Sequence, residues 1–129
     1  MEIRDAVEAD ADRLASLTDA PTDVMRNLVH DRTVRVSEDD GSVEGFVSYD
    51  AHRETVHVTQ LEGDDELCER LLDEPTRFAR TEGMSVELLV GIDDEGTQTA
   101  ARRSGFEEVG PGPRFDGTKT VRYRWTPQG

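Results

Sequence analysis

Two side chains near the middle of the sequence have the chemistry to take up a proton. His57 lies in the alternating run 55–61, and Glu87 interrupts the apolar run 86–90. An imidazole exchanges protons near neutral pH, and a carboxylate among apolar neighbours can act as a general base. Each also has an ordinary interpretation: His57 as a cross-strand residue and Glu87 as a carboxylate at the solvent end of a strand.

An acidic loop and a long helical segment separate these two runs. The order strand, loop, helix, strand predicts a βαβ unit whose helix begins at the loop. A helix start presents free N–H groups and partial positive charge, which favour a phosphate. The loop, however, carries four carboxylates that would repel one, those of Glu62, Asp64, Asp65 and Glu66. The architecture therefore predicts a ligand site, while its side chains oppose the usual ligand.

Metal chemistry is poorly supported by the residue types. Cys68 is the only cysteine, so the chain forms no internal disulfide and a cysteine-based zinc site is not expected. We interpret Cys68 as a packing residue rather than a nucleophile. The carboxylates of residues 62–66 are of the type that binds Mg²⁺ or Ca²⁺, but their spacing does not match a calcium-binding helix–loop–helix motif. No metal site is predicted.

The charge balance limits the partners that the chain can take. Twenty-nine acidic residues face fifteen basic ones, giving a net charge of −14, and Lys119 is the only lysine. This charge disfavours nucleic acids and anionic membranes. A carboxylate surplus with so little lysine is typical of proteins that work in molar salt, where a Debye length of about 3 Å screens their mutual repulsion. We therefore interpret most of the carboxylates as solvated surface of a halophilic protein.

Length and hydropathy predict one soluble domain over residues 1–129. That length is enough for a core without disulfides or metals. The sequence has no run of about eighteen apolar residues, and its first residues lack the pattern of a signal peptide. A cytoplasmic protein with no membrane partner is expected.

Periodicity and turn signals predict the elements that hold these side chains. Strands are expected at 2–6, 33–37, 43–49, 55–61, 86–90, 107–109 and 118–125, and helices at 8–18, 22–29, 64–82 and 93–103. Gly45 is a bulge or a point of close approach, and Pro75 should kink or break the third helix. One face of that helix is expected to be buried, with Leu67, Cys68, Leu71, Leu72, Phe78 and Ala79.

Four short motifs in this order of elements resemble the GNAT superfamily of acyl-CoA-dependent N-acetyltransferases. They are Ile3-Arg4-Asp5-Ala6, Val43-Glu44-Gly45-Phe46-Val47, Leu71-Leu72 with Phe78-Ala79-Arg80, and Ser104-Gly105-Phe106-Glu107-Glu108-Val109-Gly110. The resemblance covers nearly the whole chain. It implies an α+β fold with a central mixed, mostly antiparallel sheet of six to seven strands, flanked by about four helices.

The same resemblance implies acetyl transfer from acetyl-CoA to an amine, with His57 or Glu87 as the base. Exposed backbone groups of one strand would bind the pantetheine arm and the thioester carbonyl, namely those of Val58, Thr59, Gln60 and Leu61. The family's diphosphate signature, Arg/Gln-x-x-Gly-x-Gly/Ala, falls on Gly63, Glu66 and Cys68.

Two departures from the family pattern concern the chemistry. Glu66 stands where the signature has a glycine, and Ala101 stands where family members often carry a tyrosine that protonates the departing thiolate. Tyr49 and Tyr123 can replace that phenol only if the sheet brings them to the cleft. We therefore expect a weak or lost activity toward a small-molecule amine or a peptide N-terminus. The alternative is a non-catalytic protein of this fold that acts in protein–protein interaction, and a homodimer is compatible with either.

Overall fold

The computed structural model describes residues 1–115 and 117–127. The chain forms seven strands and four α-helices within that part, in an order that matches the predicted one. Their bounds are β1 (Glu2–Asp5), α1 (Ala11–Thr18), α2 (Thr22–Asp31), β2 (Thr33–Asp39), β3 (Ser42–His52), β4 (Thr55–Glu62), α3 (Asp65–Glu82), β5 (Ser85–Gly91), α4 (Glu95–Arg103), β6 (Glu107–Pro111) and β7 (Thr120–Trp125). A short 3-10 turn, Glu8–Asp10, leads into α1.

The seven strands form one mixed sheet in the order β1-β2-β3-β4-β5-β7-β6. Every neighbouring pair is antiparallel except β4 and β5, which are parallel because α3 carries the chain back across the sheet. The predicted fold class, a mixed and mostly antiparallel sheet with about four helices, is confirmed.

Helices cover the two faces of the sheet unequally. On one face, α3 and α4 pack on a core that includes Leu71, Val86 and Tyr123. On the other face, α1 and α2 cover β2 and β3 around Leu14 and Phe46. Residues alternate between faces along a strand. In β4, β5 and β7, the side chains that alternate with the buried ones therefore point to the same face as α1 and α2, but these two helices do not cover them. There the side chains of these three strands are exposed or half-buried. We call this region the open face.

The third helix departs from the prediction at two positions. It runs unbroken from Asp65 to Glu82 through Pro75, so the expected break does not occur. Proline removes a single N–H bond, and burial of Leu71 and Ala79 on either side holds both flanking turns against the sheet. Phe78, expected on the buried face, is 39% exposed. The other five predicted residues of that face are buried: Leu67, Cys68, Leu71, Leu72 and Ala79.

A buried carboxylate fixes α3 to the sheet. Glu74 accepts from Arg35 Nε of β2 at 2.8 Å and from Arg77 Nη2 at 2.7 Å. Its side chain is almost fully buried, so both guanidinium contacts offset the cost of removing that charge from water. None of the described helices combines the length and apolarity needed to cross a bilayer.

Gly45 is a point of close approach between β3 and the β4–α3 connection, which is one of the two predictions made for this residue. A Cβ at this position of β3 would collide with the Glu62 carbonyl oxygen and with the Leu67 side chain. Glu62 ends β4 and Leu67 lies in the first turn of α3. The absence of a side chain at Gly45 therefore sets how tightly the β4–α3 connection packs on the sheet.

We expect Gly45→Ala to lower the free energy of unfolding by about 1–3 kcal/mol, the usual cost of overpacking. Gly91→Ala is the matched control, because a Cβ there would meet only Thr118 Cγ2, at 4.0 Å, and a change within about 0.5 kcal/mol is expected. Urea unfolding curves in constant molar KCl measure both. Equal losses for the two variants would show that the close approach at Gly45 does not limit packing.

Candidate functional site

Strands β4 and β5 separate after a short paired stretch. Their parallel pairing runs from Thr55 with Ser85 to Val58 with Leu88. Beyond it β4 continues to Glu62 and β5 to Gly91, with no further pairing of the two within the described residues. The β5-facing backbone groups of residues 59–61 thus have no ladder partner on that strand. We call the gap between residues 59–61 and 89–91 the β4–β5 wedge.

A β-bulge lies where the wedge begins. The register between β3 and β4 shifts between Ser48 and Tyr49, which pair with Gln60 and Val58, so Thr59 is the extra residue on β4. Its hydroxyl is 2.6 Å from Ser48 Oγ and donates to the Ser48 carbonyl at 3.2 Å. Bulges bend the strand that carries them. The bend in β4 is therefore held by the side chain of Thr59 itself.

The open face carries a cleft beside the wedge. It has a volume of about 510 Å³ and is lined by His57, Val58, Thr59, Glu87, Leu89, Phe115 and Arg122. His57 and Glu87 are register partners across β4 and β5. The structure therefore brings together the two proton acceptors that the sequence suggested, on the same wall of one cleft.

The two acceptors differ in how they are engaged. The Glu87 carboxylate binds Arg124 Nη2 and lies 3.7 Å from Arg122 Nη1, and its side chain is 15% exposed. The oxygens of this carboxylate therefore face two guanidiniums. His57 is exposed and joins no ion pair within residues 1–115 and 117–127. Of the two, His57 is the group free to act as a base.

Carboxylates of the chain itself lie at the first turn of α3. Asp64 caps the helix by accepting from the Leu67 N–H at 2.8 Å, and its carbonyl accepts from Cys68 N–H at 2.8 Å. Among the first backbone donors, those of Asp65 and Glu66 have no intrahelical acceptor, as in any helix start. Their own side chains add negative charge at the same place.

A second helix start points into the same region. Asp94 caps α4 by accepting from the Thr97 N–H at 3.1 Å, and the Asp65 carboxylate contacts the position that a Cβ of Gly96 would occupy. Glu62 lies nearby: burial, and then the charge of Asp94, raise the pKa of its carboxyl above the usual value. Carboxylates of the chain therefore lie close together at the end of β4 and at the starts of α3 and α4.

Acetyl-CoA, which the resemblance implies, fits one half of this site and not the other. The wedge offers backbone donors and acceptors to an extended acyl-pantetheine arm, as an open sheet edge does. The diphosphate position does not fit: only Gly63 and Asp64 connect β4 to α3, and residues 62–66 contain no basic side chain. A phosphate there would meet carboxylates before it reached the free N–H groups of α3.

The three residues at the signature positions serve other purposes. Gly63 has a positive φ of 144° and packs against Leu67, and Glu66 is exposed. Cys68 is 3% exposed and its thiol donates to the Gly63 carbonyl at 3.4 Å. Burial, and then the charges of Glu62 and Asp65, raise the pKa of this thiol to about 12. The thiol is protonated and shielded, in keeping with a packing residue.

Neither tyrosine reaches the open-face cleft. Tyr49 and Tyr123 are buried in the core beneath α3 and α4, on the opposite face of the sheet. The Tyr123 hydroxyl accepts from Arg102 Nη1 at 2.8 Å and donates to Gln98 Oε1 at 3.1 Å. Ala101, at the position of the family's tyrosine, is fully buried. The missing phenol is therefore not replaced from the sheet.

Sequence reasoning missed three residues of the cleft, Leu89, Phe115 and Arg122. Phe115 follows the Gly/Pro loop, whose path the sequence does not fix. Arg122 had a usable signal: along β7 it alternates with the buried Tyr123 and Trp125, which places it with Arg124 on the opposite, open face. What the sequence did not show was that β5 would set Leu89 beside it.

We expect Cys68 in the folded protein to resist a thiol reagent at pH 8, because a pKa of about 12 leaves only a trace of thiolate. Absorbance during reaction with a chromogenic disulfide measures this. The same chain in denaturant is the control and should react stoichiometrically. Equal rates in the two states would contradict the placement of Cys68.

Sequence comparisons give no relative for this chain. No protein-family model matches it, and no curated protein matches it significantly. Its structure, in contrast, is similar to many solved structures.

One is a ribosomal-protein-alanine N-acetyltransferase from Brucella melitensis, with a TM-score of 0.82, 19% identity, and coverage of 98% of this chain and 99% of that one. A second is yncA from Salmonella typhimurium, solved with its cofactor acetyl-CoA, with a TM-score of 0.83, 18% identity, and coverage of 100% and 95%. A third, from Desulfovibrio desulfuricans and assigned to the GNAT family, has a TM-score of 0.77, 19% identity, and coverage of 97% and 98%.

The similarity covers nearly the full length of these chains, but the sequence identities are below 20%. What the chains share is therefore the fold of the backbone. The resemblance inferred from the short motifs is confirmed at that level. This chain has the fold of the GNAT superfamily of N-acetyltransferases.

Proposed function

We propose that this chain is an acetyltransferase-like protein that transfers an acetyl group from acetyl-CoA to an amine, with an affinity for the donor that its own carboxylates reduce. The observation that carries the proposal is the β4–β5 wedge. Pairing stops at Val58 and Leu88 although both strands continue. An unpaired sheet edge offers backbone donors and acceptors to an extended ligand.

The donor would lie along β4. When bound, acetyl-CoA supplies an activated acyl thioester. Backbone groups of Thr59, Gln60 and Leu61 would hold its pantetheine arm, and a free N–H of this stretch would stabilise negative charge on the carbonyl oxygen. Val58, which ends the paired stretch, forms the floor where the acyl group would point toward the open-face cleft.

The acceptor amine would enter from the open-face cleft. His57 lines that cleft and is exposed, which supports the proposal that its imidazole removes a proton from the amine. Glu87 is the second candidate, but its contacts with Arg122 and Arg124 suit it to orienting those side chains. The apolar wall at Leu89 favours an uncharged, reactive amine over a hydrated ammonium.

Donor affinity would be limited at the start of α3. A helix N-terminus attracts a phosphate, but here the residues closest to it are Glu62, Asp64, Asp65 and Glu66. Repulsion between exposed charges falls as salt is added. The proposal therefore requires that acetyl-CoA bind more tightly in molar KCl than in dilute buffer, the reverse of most anion sites.

Replacing Glu66 with glycine should strengthen acetyl-CoA binding about two- to five-fold, because it removes one charge at a helix N-terminus, an effect of about 0.3–1 kcal/mol. Isothermal titration at low and at molar KCl measures the change, which should shrink in molar salt. Asp73→Asn, an exposed position near the middle of α3, is the control and should bind like the wild type.

Unchanged affinity in Glu66→Gly would mean that no diphosphate pocket exists at this helix start. If neither protein binds millimolar acetyl-CoA in molar KCl, the proposed activity is wrong. The non-catalytic alternative, a protein of this fold used in protein–protein interaction, would then stand.

Replacing His57 with glutamine should lower kcat/KM for acetyl transfer by about 100-fold or more, the usual contribution of a general base, and leave the dissociation constant of acetyl-CoA unchanged. A coupled assay of thiol release over a panel of amines, amino acids and short peptides measures this. His52→Gln, in the exposed end of β3, is the matched control. Full activity in His57→Gln would assign the base to another residue.

A further inference from the structure

We propose that the open-face cleft binds a free α-amino acid with an apolar side chain, whose carboxylate pairs with Arg122. This inference rests on the proposed function in one respect: the amino acid would be the acetyl acceptor. Its evidence is nevertheless the lining of the cleft alone, and binding can be measured without any donor.

Arg122 is the group in the cleft whose charge is least compensated. Its nearest acidic partner is Glu87, at 3.7 Å from Nη1, which is longer than a hydrogen bond. Glu87 binds more closely to Arg124, outside the residues that line the cleft. This guanidinium has no carboxylate within hydrogen-bond distance among the described residues. It would attract an anion from solution.

The guanidinium of Arg122 keeps donors that a carboxylate can use. Its Nε is covered and has no hydrogen-bond partner among the described residues, so a ligand in the cleft cannot reach that atom. The Arg122 side chain as a whole is 41% exposed, and a carboxylate would bind its terminal N–H groups. A phosphate would also fit these donors, but the apolar residues of the cleft favour a smaller, singly charged group.

The apolar residues of the cleft favour a ligand with an apolar side chain. Leu89 is half-buried and Phe115 is 56% exposed at the rim. An apolar side chain laid against these two residues would remove its own surface and theirs from water. The exposed ring of Phe115 is the part of this cleft that gains most from such a ligand.

The strand order sets the distance between the two polar ends. β7 neighbours β5, and β5 neighbours β4, so β4 and β7 are about 10 Å apart where all three strands pair, twice the usual strand spacing. Arg122 lies opposite Leu89 and His57 opposite Glu87, so Arg122 is also two residues further along β5. The long arginine side chain spans part of that distance. A ligand whose amine and carboxylate sit on one carbon can therefore contact Arg122 while its amine faces β4 and the wedge.

Other acceptor classes meet these residues less well. A peptide N-terminus has an amide in place of the carboxylate, so it leaves the terminal N–H groups of Arg122 unpaired. A polyamine or another polycation would meet Arg122 and Arg124 on the open face. The carboxylate is thus the feature that separates the proposed ligand from the alternatives, and the experiment compares ligands that differ only there.

The test is equilibrium binding of L-phenylalanine and L-phenylalaninamide, measured by ligand-observed NMR without acetyl-CoA. We expect the wild type to bind the acid at least ~10-fold more tightly than the amide, the ratio for a lost charge-assisted hydrogen bond. Arg122→Gln should bind both ligands equally. Arg103→Gln, an exposed arginine of α4, removes the same charge elsewhere and should keep the preference. Melting curves confirm that each variant is folded.

Equal affinity of the wild type for the acid and the amide would overturn the proposal, as would an unchanged preference in folded Arg122→Gln. Binding of neither ligand at tens of millimolar would overturn it as well. These outcomes are separate from those of the proposed function. A chain that prefers phenylalanine but binds no acetyl-CoA keeps the amino acid site and loses the acetyl transfer.

Discussion

The structure depends on the early end of the pairing between β4 and β5. Four residue pairs join these parallel strands, and the bulge at Thr59 then bends β4 away from β5 while keeping it bonded to β3. Continued pairing would leave neither an opening for an extended ligand nor a passage between the two faces of the sheet. Because the Thr59 hydroxyl bonds to Ser48, the bend is part of the fold and requires no ligand to maintain it.

An acidic region at the end of the same wedge opposes the binding of an anionic ligand. The starts of α3 and α4 both donate capping hydrogen bonds to aspartates of the chain, and Asp65 fills space beside Gly96. These contacts stabilise the two helices and place negative charge at the position that the diphosphate of the proposed donor would occupy. Helix stability and the proposed donor affinity would therefore compete at one location. In molar salt the stabilising caps are retained, because they are short hydrogen bonds, while the longer-range repulsion is screened.

Much of the fold was predictable because local signals agreed with one another. Alternation gave the strands, a 3.6-residue period gave the helices, and the glycine after residue 82 ended α3 as expected. Of the two predicted effects of Pro75, a kink or a break, the break does not occur, because burial of both flanking turns outweighs one lost bond. Phe78 was wrongly predicted to be buried, because the helical period shows which residues share a face but not how far the sheet extends beneath them.

The site was predictable only in part, for a related reason. The residue types of His57 and Glu87 suggested proton transfer, but their adjacency comes from a parallel register that no local signal encodes. The engagement of Glu87 by Arg122 and Arg124 depends on β7 inserting beside β5. Likewise, the raised pKa of Glu62 requires burial and a neighbour, Asp94, that is far away in the sequence.

The most direct test of the account is an amide chemical-shift titration with S-acetylpantetheine, the acyl arm of the donor without its diphosphate. The account predicts shifts concentrated at residues 59–61 of β4 and 89–91 of β5, with the first turn of α3 unaffected. An absence of shifts along β4 and β5 at saturating ligand would contradict the claim that the wedge is a binding site.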